Sequence, residues 1–433
     1  MRHKLIITFL ITLFSFSFSV INGQNQINSP YARFNLGTLQ ESGPFRSQSM
    51  GGLATAIRDN YSVYFENPAS YSSVDTNSFI FDFALEWGQN DLSEGDKKYS
   101  SNDMNFDHLV MGFPISKGLG FAVGVFPFSN GYYNLENSVQ ETDPGYDPVT
   151  GAYRITHTGK GGYYKVFAGT GIRLSKNLSA GINMTYLVGQ ETRTNLFDFA
   201  DYYNSFHDKN VEELSLAGLN FEYGLQYIAS LKNDHFFNAG ISVTPSKKYN
   251  STFDKISYSY NAYGSVDTLA YTHDKSKSSV IPATFRAGIA YGKLNKLTAG
   301  IDFTWTQWSK STVPGTEGYI ADTKKLIAGI EYIPDRFSNY SALRRIEYRL
   351  GGHIGNNYLI INGEQIKEMG VSAGLGIPVR RSMVTLSSLK ANIFFDYTRR
   401  SGSISNNLHT ENIFTVGVSI NLYDYWFLKK KYD

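Results

Sequence analysis

The chain has 433 residues, of which 15% are aromatic, 18% are charged and none is cysteine, and its formal net charge is +2. Near-neutral charge argues against a nucleic-acid-binding protein, and the lack of cysteine excludes disulfide scaffolds, thiolate zinc sites and cysteine nucleophiles. Tyrosine (31), phenylalanine (30) and glycine (40) are abundant whereas proline (12) is scarce, which is typical of β-rich proteins.

Residues 1–23 have the pattern of a cleavable secretory signal peptide. A basic start precedes an apolar run over residues 5–21, and the small Gly23 stands before Gln24. An N-terminal membrane anchor is the alternative, because the run has about the minimum length that spans a bilayer. Its many serine and threonine residues favour cleavage. No later stretch approaches about 18 consecutive apolar residues, so the sequence argues against a helical membrane protein.

From residue 78 onward, apolar and polar residues alternate with period two. In the first stretch Phe81, Phe83 and Leu85 alternate with Asp82 and Glu86, so that one face suits lipid and the other tolerates charge. Reading the whole chain in this way predicts strands at 78–88, 105–115, 119–128, 161–174, 178–190, 214–231, 235–245, 281–292, 296–308, 325–334, 346–355, 368–379, 388–398 and 412–422.

The predicted strands are fourteen, and an even number brings both ends of the sheet to the same side, as single-chain bacterial outer-membrane barrels require. We therefore predict an all-β, 14-stranded antiparallel transmembrane β-barrel over residues 78–422, in contact with the lipids of the outer membrane of a Gram-negative bacterium. Residues 423–433 are then a periplasmic C-terminal tail, whose aromatic and basic residues suit an interfacial anchor.

The connections between the predicted strands alternate between short and long. Residues 116–118 and 175–177 form short links, whereas 129–160, 191–213 and 246–280 form long ones, as expected for short periplasmic turns and long outer loops. A soluble β-sandwich or propeller is the competing interpretation. It explains neither the aromatic outer face nor the two classes of loop length.

Residues 24–77 are predicted to form a hatch, or plug, inside the barrel. Side chains alone do not fill the lumen of a barrel of this size, and the segment is too rich in glycine and serine for an independent domain. Charges of both signs on the inward strand faces suit contacts with such a plug. If the turn at 293–295 pairs Gly292 with Lys296, Arg286 faces Asp302 as a lumenal ion pair.

Asn67-Pro68-Ala69 follows a glycine- and alanine-rich stretch and stands just before the first strand. This arrangement resembles the hatch of the FadL-type outer-membrane transporters of long-chain fatty acids. Residues 281–309 are similar to the family's eighth and ninth strands, and residues 348–378 to its later strands. The resemblance implies a fourteen-stranded barrel with an N-terminal hatch, and passage of hydrophobic molecules through a gap in the wall where the third strand kinks beside the Asn-Pro-Ala motif.

The third predicted strand is the candidate for this lateral gate. Pro127 cannot donate a ladder hydrogen bond, and Gly120 and Gly124 have no side chain to pack. Together with Phe126 and Phe128, these residues form the predicted gate. The alternative is that Pro127 only ends the strand at the membrane rim.

Sites for other chemistry are not indicated by the sequence. The eight histidines show no metal-ligand spacing, no Gly-x-Ser-x-Gly elbow is present, and the glycines at 159–162 lack the spacing of a phosphate-binding loop. We therefore expect no catalytic residue, no metal and no cofactor. Outer-membrane lipases and acyltransferases, which also use barrels, are the enzymatic alternative.

Passive transport of hydrophobic compounds such as long-chain fatty acids is the function that the resemblance implies, and hydrophobic small molecules are the expected partners. The alternative is an interaction protein. Some FadL-like barrels, the PorV-like proteins, serve as partners of a secretion machine and hold cargo at the cell surface. The segments between the matching strands carry no residue-by-residue resemblance, so no ligand contacts are predicted from them.

Overall fold

The computed structural model describes residues 29–94, 97–144, 146–199, 205–274, 278–314, 319–361, 363–381, 388–402 and 410–425. The predicted signal peptide and most of the predicted C-terminal tail lie outside these residues. The wall strands are β1 (Ser78–Glu94), β2 (Lys97–Ser116), β3 (Leu119–Asn130), β4 (Tyr153–Arg173), β5 (Leu178–Phe199), β6 (His207–Ser230), β7 (His235–Thr244), β8 (Thr284–Lys293), β9 (Leu297–Thr306), β10 (Thr323–Tyr332), β11 (Glu347–Ile361), β12 (Glu364–Arg381), β13 (Ser388–Ser401) and β14 (Thr410–Tyr425).

Each wall strand pairs antiparallel with the next, and β14 pairs back to β1 from Ser78↔Tyr425 to Ser93↔Thr410. The sheet is thus a closed barrel of fourteen strands, and the predicted fold class and strand count are confirmed. β14 runs to Tyr425, three residues past the predicted end of the barrel. None of the helices in the described ranges has the length and apolar character needed to cross a bilayer.

In each wall strand alternate side chains point away from the lumen, and those outward side chains form an apolar outer face. On β6 the outward side chains are exposed and apolar, whereas Asn220, Glu222 and Gln226 point inward and are buried. This alternation gives a lipid-facing belt of the outer-membrane type. The outward set on this strand comprises Leu219, Phe221, Tyr223, Leu225 and Tyr227.

Strands extend into segments that the sequence analysis assigned to long loops. β4, β5 and β6 have 21, 22 and 24 residues, and the added strands Tyr133–Val139, Lys247–Tyr260 and Val266–Asp274 widen the same sheet beyond the belt. We call this extension the crown. In its strand Lys247–Tyr260 the apolar side chains of Tyr249 and Phe253 are buried in a cluster with the lumenal segment, and polar residues alternate with them, so the apolar outer face that marks a strand within lipid is missing. This explains why the prediction ended the strands too early.

The remaining short elements connect or brace these strands. They are the strands Thr38–Leu39, Ser278–Ile281 and Tyr319–Ile320, the helices Phe45–Gln48 and Ala342–Arg345, and the 3-10 turns Pro30–Arg33, Pro68–Ser73, Lys232–Asp234 and Trp308–Lys310.

Residues 29–77, which we call the lumenal segment, lie inside the barrel. Their middle part, from Phe45 to Tyr71, follows the inner wall at a height where twelve of the fourteen strands carry glycine, and a Cβ at any of these glycines would stand within 3.2 Å of the segment. The segment approaches six of these glycines with backbone atoms and the other six with side-chain atoms, so it lies close to the wall around most of the circumference. The glycines of this ring are Gly112, Gly120, Gly171, Gly181, Gly224, Gly240, Gly288, Gly300, Gly329, Gly351, Gly374 and Gly417.

The lumenal segment also contacts the closing strand β14 at three places along its length. The Ser29 hydroxyl donates to Glu411, Phe45 packs against Gly417, and the Tyr423 hydroxyl donates to Asp75 at 2.9 Å. The beginning, middle and end of the segment are therefore tied to one strand.

Candidate functional site

We call residues 45–71 of the lumenal segment the floor, and the Asn-Pro-Ala motif anchors it. Asn67 is fully buried; its Nδ2 donates to the Thr55 carbonyl at 2.8 Å, and its Oδ1 accepts from the Ala69 amide at 3.2 Å. Asn67 thereby caps the 3-10 turn Pro68–Ser73. Pro68 has no backbone N–H, but none is needed at the first position of such a turn. The turn lies against the glycine ring, so the motif holds backbone in contact with the wall.

A buried chain of charges fixes the other side of the floor. Arg46 binds Glu331 in a bidentate ion pair (Nη2–Oε1 2.6 Å, Nε–Oε2 2.8 Å) and also contacts Asp59. Glu331 in turn accepts from Arg349 at 2.8 Å, and Arg349 contacts Glu347. Removing one member of such a network leaves an uncompensated buried charge.

The expected pairing of Arg286 with Asp302 is wrong in its register. Asp302 faces Gly288, and Arg286 faces Thr304. Asp302 instead accepts from two amides of the lumenal segment, Ala54 N at 2.8 Å and Thr55 N at 2.7 Å. The tight turn pairs Lys293 with Leu297 and Gly292 with Thr298 in place of Lys296, and this two-residue shift moves the partner of every residue along the hairpin while keeping each side chain on its face.

Backbone pairing between β2 and β3 is lost partway along the two strands. These strands pair from Ser116↔Leu119 up to Leu109↔Val125. Beyond that pair β2 continues on β1 alone, while β3 continues on β4 to Asn130↔Gly162, with a register shift after Pro127. On the side that β2 has left, the short strand Thr38–Leu39 pairs with the end of β3. We call this place the split.

The predicted gate residues divide into two groups. Phe126, Pro127 and Phe128 lie where β3 separates from β2, whereas Gly120 and Gly124 lie in the paired part below the split. A Cβ at Gly120 would meet the Tyr71 carbonyl at 2.0 Å, so this glycine makes room for the floor. The gate residues that bear side chains are thus those at the opening.

Aromatic rings lie directly behind the split. The ring of Phe65, in the lumenal segment, stacks on Phe126 with centroids 4.7 Å apart and contacts Phe167 at 5.4 Å. The Lys165 ammonium stands 4.8 Å from the Phe128 ring centroid. We call the edge of the split formed by residues 126–128 the lip. Its lumenal side is apolar up to the ring of Phe128 and polar beyond it.

A chamber of about 250 Å³ lies above the floor and reaches the split. Phe126, Pro127 and Phe128 line one end of it. The rest of the lining combines apolar side chains, such as Leu187, Tyr249 and Ile281, with polar ones, which include Glu66, Lys165, Thr185, Asn220, Thr244, Thr284, Arg286, Asp302, Thr304 and Thr306.

Glu66 is the unusual member of this lining. The residue is only 8% exposed, and its carboxyl oxygens are buried, with no hydrogen-bond partner outside their own residue. Burial raises the pKa of Glu66 to about 8; its own backbone amide, Arg286 and His108 oppose this rise, and the Asp302 carboxylate adds to it. Glu66 is therefore a buried carboxyl at the edge of the chamber whose oxygens are shielded from the open space.

An aromatic and aliphatic cover closes the chamber on the crown side. Trp308 stacks on Tyr358 with ring centroids 4.8 Å apart, and both belong to a buried cluster with Tyr31 and Leu36 of the lumenal segment. The Tyr358 hydroxyl donates to the Gly37 carbonyl at 2.5 Å. The first part of the lumenal segment is thus held under the cover.

Among the residues that the structure describes, one group of side chains has ligand atoms close enough to hold a metal ion: Glu41, His353 and Glu368, within 4.8 Å of one another. The Lys325 ammonium contacts Glu41 and lies 3.4 Å from Glu368. This ammonium already supplies the positive charge between the carboxylates, so the group is an internal ion-pair network.

Glu66 and the cover residues were missed by the sequence analysis. Glu66 directly precedes the Asn-Pro-Ala motif and is the only carboxyl side chain between Asp59 and Asp75, which is a signal visible in the sequence. Trp308 and Tyr358 lie far apart in the chain and come together only through the closure of the barrel, so no local pattern marks them.

Several solved structures have a similar fold. They include a FadL homologue of Pseudomonas aeruginosa (10% identity, TM-score 0.57, covering 90% of this chain and 99% of that one) and the Pseudomonas putida toluene transporter TodX (13%, 0.56, 90% and 99%). The Ralstonia pickettii toluene transporter TbuX is similar as well (14%, 0.53, 89% and 99%). The FadL-type architecture is therefore confirmed.

At the level of sequence, the chain matches none of the curated proteins with which it was compared. A family model described as BamG, however, matches residues 1–433. The match covers the lumenal segment as well as every wall strand, and the chain therefore belongs to the BamG family.

Proposed function

We propose that this barrel is a passive outer-membrane channel for hydrophobic compounds, such as long-chain fatty acids, which leave it sideways through the split. The observation that carries the proposal is the loss of pairing between β2 and β3 above Leu109↔Val125. It opens the wall beside the chamber, at a height where the neighbouring outward side chains, such as Tyr164 and Val166, are exposed and apolar.

The floor supports a sideways exit. Between Phe45 and Tyr71 the lumenal segment lies in close contact with glycines of twelve wall strands, so a solute in the chamber has no vertical path that leaves this packing intact. The split, lined by Phe126 and Phe128, is the route that breaks no buried ion pair. The two toluene transporters among the similar structures support hydrophobic compounds as the substrate class.

A charge placed at the split tests the route. Pro127→Glu puts a carboxylate on the lip, and we expect uptake of toluene and of long-chain fatty acids by cells expressing this variant to fall roughly five-fold, equivalent to about 1 kcal/mol. The matched control is Val188→Glu. Val188 pairs with Tyr164, which pairs with Pro127, so it lies at the same height two strands away from the lip.

Equal loss of uptake in both variants would show that the charge harms the barrel and not the route. Unchanged uptake of every hydrophobic compound tried, on deletion of the gene, would overturn transport itself.

The crown favours a second candidate function, that of a partner in secretion or surface attachment. The strand Val266–Asp274 pairs with Lys247–Tyr260, and eight of its nine residues are exposed, among them Leu269 and Tyr271. Exposed strands of this kind add to strands of other proteins. Co-purification of secretion components, or loss of surface proteins on deletion, tests this candidate.

A further inference from the structure

The connection between β10 and β11 is the exception among those at the short-turn end of the barrel. It has fourteen residues, 333–346, whereas the other four described connections at that end have two to four. The wall begins and ends there, at Ser78 and Tyr425, and short turns mark the periplasmic end of such a barrel. We call residues 333–346 the rim loop.

Hydrogen bonds hold the rim loop in one shape. The Asp335 amide donates to the Arg344 carbonyl at 2.8 Å, which ties the two arms of the loop together. Arg345 Nη1 donates to the Ser338 carbonyl, also at 2.8 Å. The side chains at the tip of the loop are therefore presented by a folded backbone.

The rim loop crosses the edge of the wall from the lumen to the lipid side. On the lumenal side, the Arg336 guanidinium stands 4.7 Å from the ring centroid of Tyr61 in the lumenal segment. On the outer side, Tyr348 is an exposed residue of β11, and its hydroxyl donates to the Leu343 carbonyl at 3.1 Å. The loop is therefore continuous with the lipid-facing belt.

Three large apolar side chains of the rim loop are exposed although the loop is folded. They are Phe337, Tyr340 and Leu343, and Tyr340 is fully exposed. Apolar side chains gathered in this way mark an interaction surface. Aromatic residues beside the belt are typical of the boundary between membrane and water.

The charge of this end of the barrel indicates what the surface contacts. The rim loop carries three arginines and one aspartate. Each of the other four connections places a lysine within two positions of an exposed aliphatic residue, and cations beside apolar side chains suit anionic head groups above acyl chains. The four pairs are Ile115 with Lys117, Leu174 with Lys176, Leu231 with Lys232, and Leu294 with Lys296.

We infer that the rim loop binds anionic phospholipids of the periplasmic leaflet. Tyr340 and Leu343 contact the acyl chains, and Arg344 and Arg345 bind the phosphate, whose oxygens match the N–H groups of a guanidinium. The four lysines extend the same attraction around the end of the barrel. The loop thereby fixes the depth and tilt of the barrel in the bilayer.

Quenching of a fluorophore on the rim loop tests this. The chain has no cysteine, so Asn339→Cys gives a single attachment site for bimane beside Tyr340. The full chain is placed in dioleoylphosphatidylcholine vesicles that contain nitroxide-labelled phosphatidylglycerol or nitroxide-labelled phosphatidylcholine at equal mole fraction. We expect the phosphatidylglycerol probe to quench at least about threefold more strongly, because the arginines enrich it beside the loop.

Variants separate the charged part of the surface from the apolar part. Arg344→Gln with Arg345→Gln should abolish the difference between the probes. Arg344→Gln alone, which keeps the hydrogen bonds of the loop, should lower it about twofold. Tyr340→Ser should weaken quenching by both probes equally. The matched control is Lys98→Gln with Lys160→Gln, two exposed lysines towards the other end of the barrel, and the folded band in SDS gels checks each variant.

Three results would overturn the inference. Equal quenching by the two probes would show that the loop touches the bilayer without selecting anionic lipid. A preference that survives the double arginine variant, or that falls equally in the lysine control, would assign the selection to other residues. Quenching by neither probe would place the loop away from the bilayer and favour a periplasmic protein as its partner.

Discussion

The floor and the cover of the lumen are held by different kinds of contact. On the floor, residues 45–71 lie against wall glycines through backbone and side-chain atoms, and Arg46 is paired within a buried charge network. Under the cover, residues 29–39 are held by packing in an aromatic and aliphatic cluster, by hydrogen bonds from side chains such as Tyr358, and by the pairing of Thr38–Leu39 with β3. Displacing the floor would leave buried charges without partners, whereas releasing residues 29–39 breaks one short strand pairing and single hydrogen bonds. The comparison indicates a fixed floor and a releasable cover.

Arg46→Met is the substitution with the largest expected effect on this comparison. It leaves Asp59 without its guanidinium and Glu331 with Arg349 alone, which should lower stability by about 3 to 5 kcal/mol. The temperature at which the folded band is lost in SDS gels measures this. If the loss is no larger than that of an exposed control, Lys255→Met, the floor is not fixed by its charges.

The pH dependence of stability is the next largest effect. The pKa of Glu66 in the folded protein is about 8, above its ordinary value of about 4.5, so the folded state binds the proton more tightly. Its contribution is fully present below pH 4.5 and is lost as pH rises to 8, by an amount on the order of a few kcal/mol. In Glu66→Gln the decline in unfolding temperature between these pH values should flatten. An unchanged slope would contradict the assignment.

Gly181→Ala tests the close approach at the floor. The added Cβ would stand 2.3 Å from the Pro68 carbonyl carbon and 2.5 Å from the Ala69 amide nitrogen, and backbone atoms give way poorly, so a loss of about 1 to 3 kcal/mol is expected. Ala180→Val, one residue away on the outward face, is the control. Equal unfolding temperatures for the two variants would refute a tightly seated floor.

Tyr358→Phe has the smallest expected effect and concerns the cover. It removes the hydrogen bonds to the Gly37 and Phe34 carbonyls and keeps the stacking on Trp308, which should cost about 1 kcal/mol. The residues near Gly37 should become faster in hydrogen exchange, while those near Thr55 stay unchanged. Faster exchange at both places would contradict a separate, releasable cover.

The barrel was predictable because lipid imposes a strict pattern on the wall. Alternation such as that around Phe81 and Asp82 reports directly which face meets the bilayer, and it located all fourteen strands. The crown lacks the apolar outer face, so its strands were predicted as loops. The Arg286–Asp302 pairing failed because turn residues set register only to within a residue or two, and Glu66 became a candidate only once the chamber around it was seen.

The three contacts between β14 and the lumenal segment bear on assembly. The last strand to be synthesised cannot complete its inner surface until Ser29, Phe45 and Asp75 are in place. Closure of the barrel and insertion of the lumenal segment are therefore one cooperative event. It joins residues nearly 400 positions apart and should make the folding of this chain slow and all-or-none.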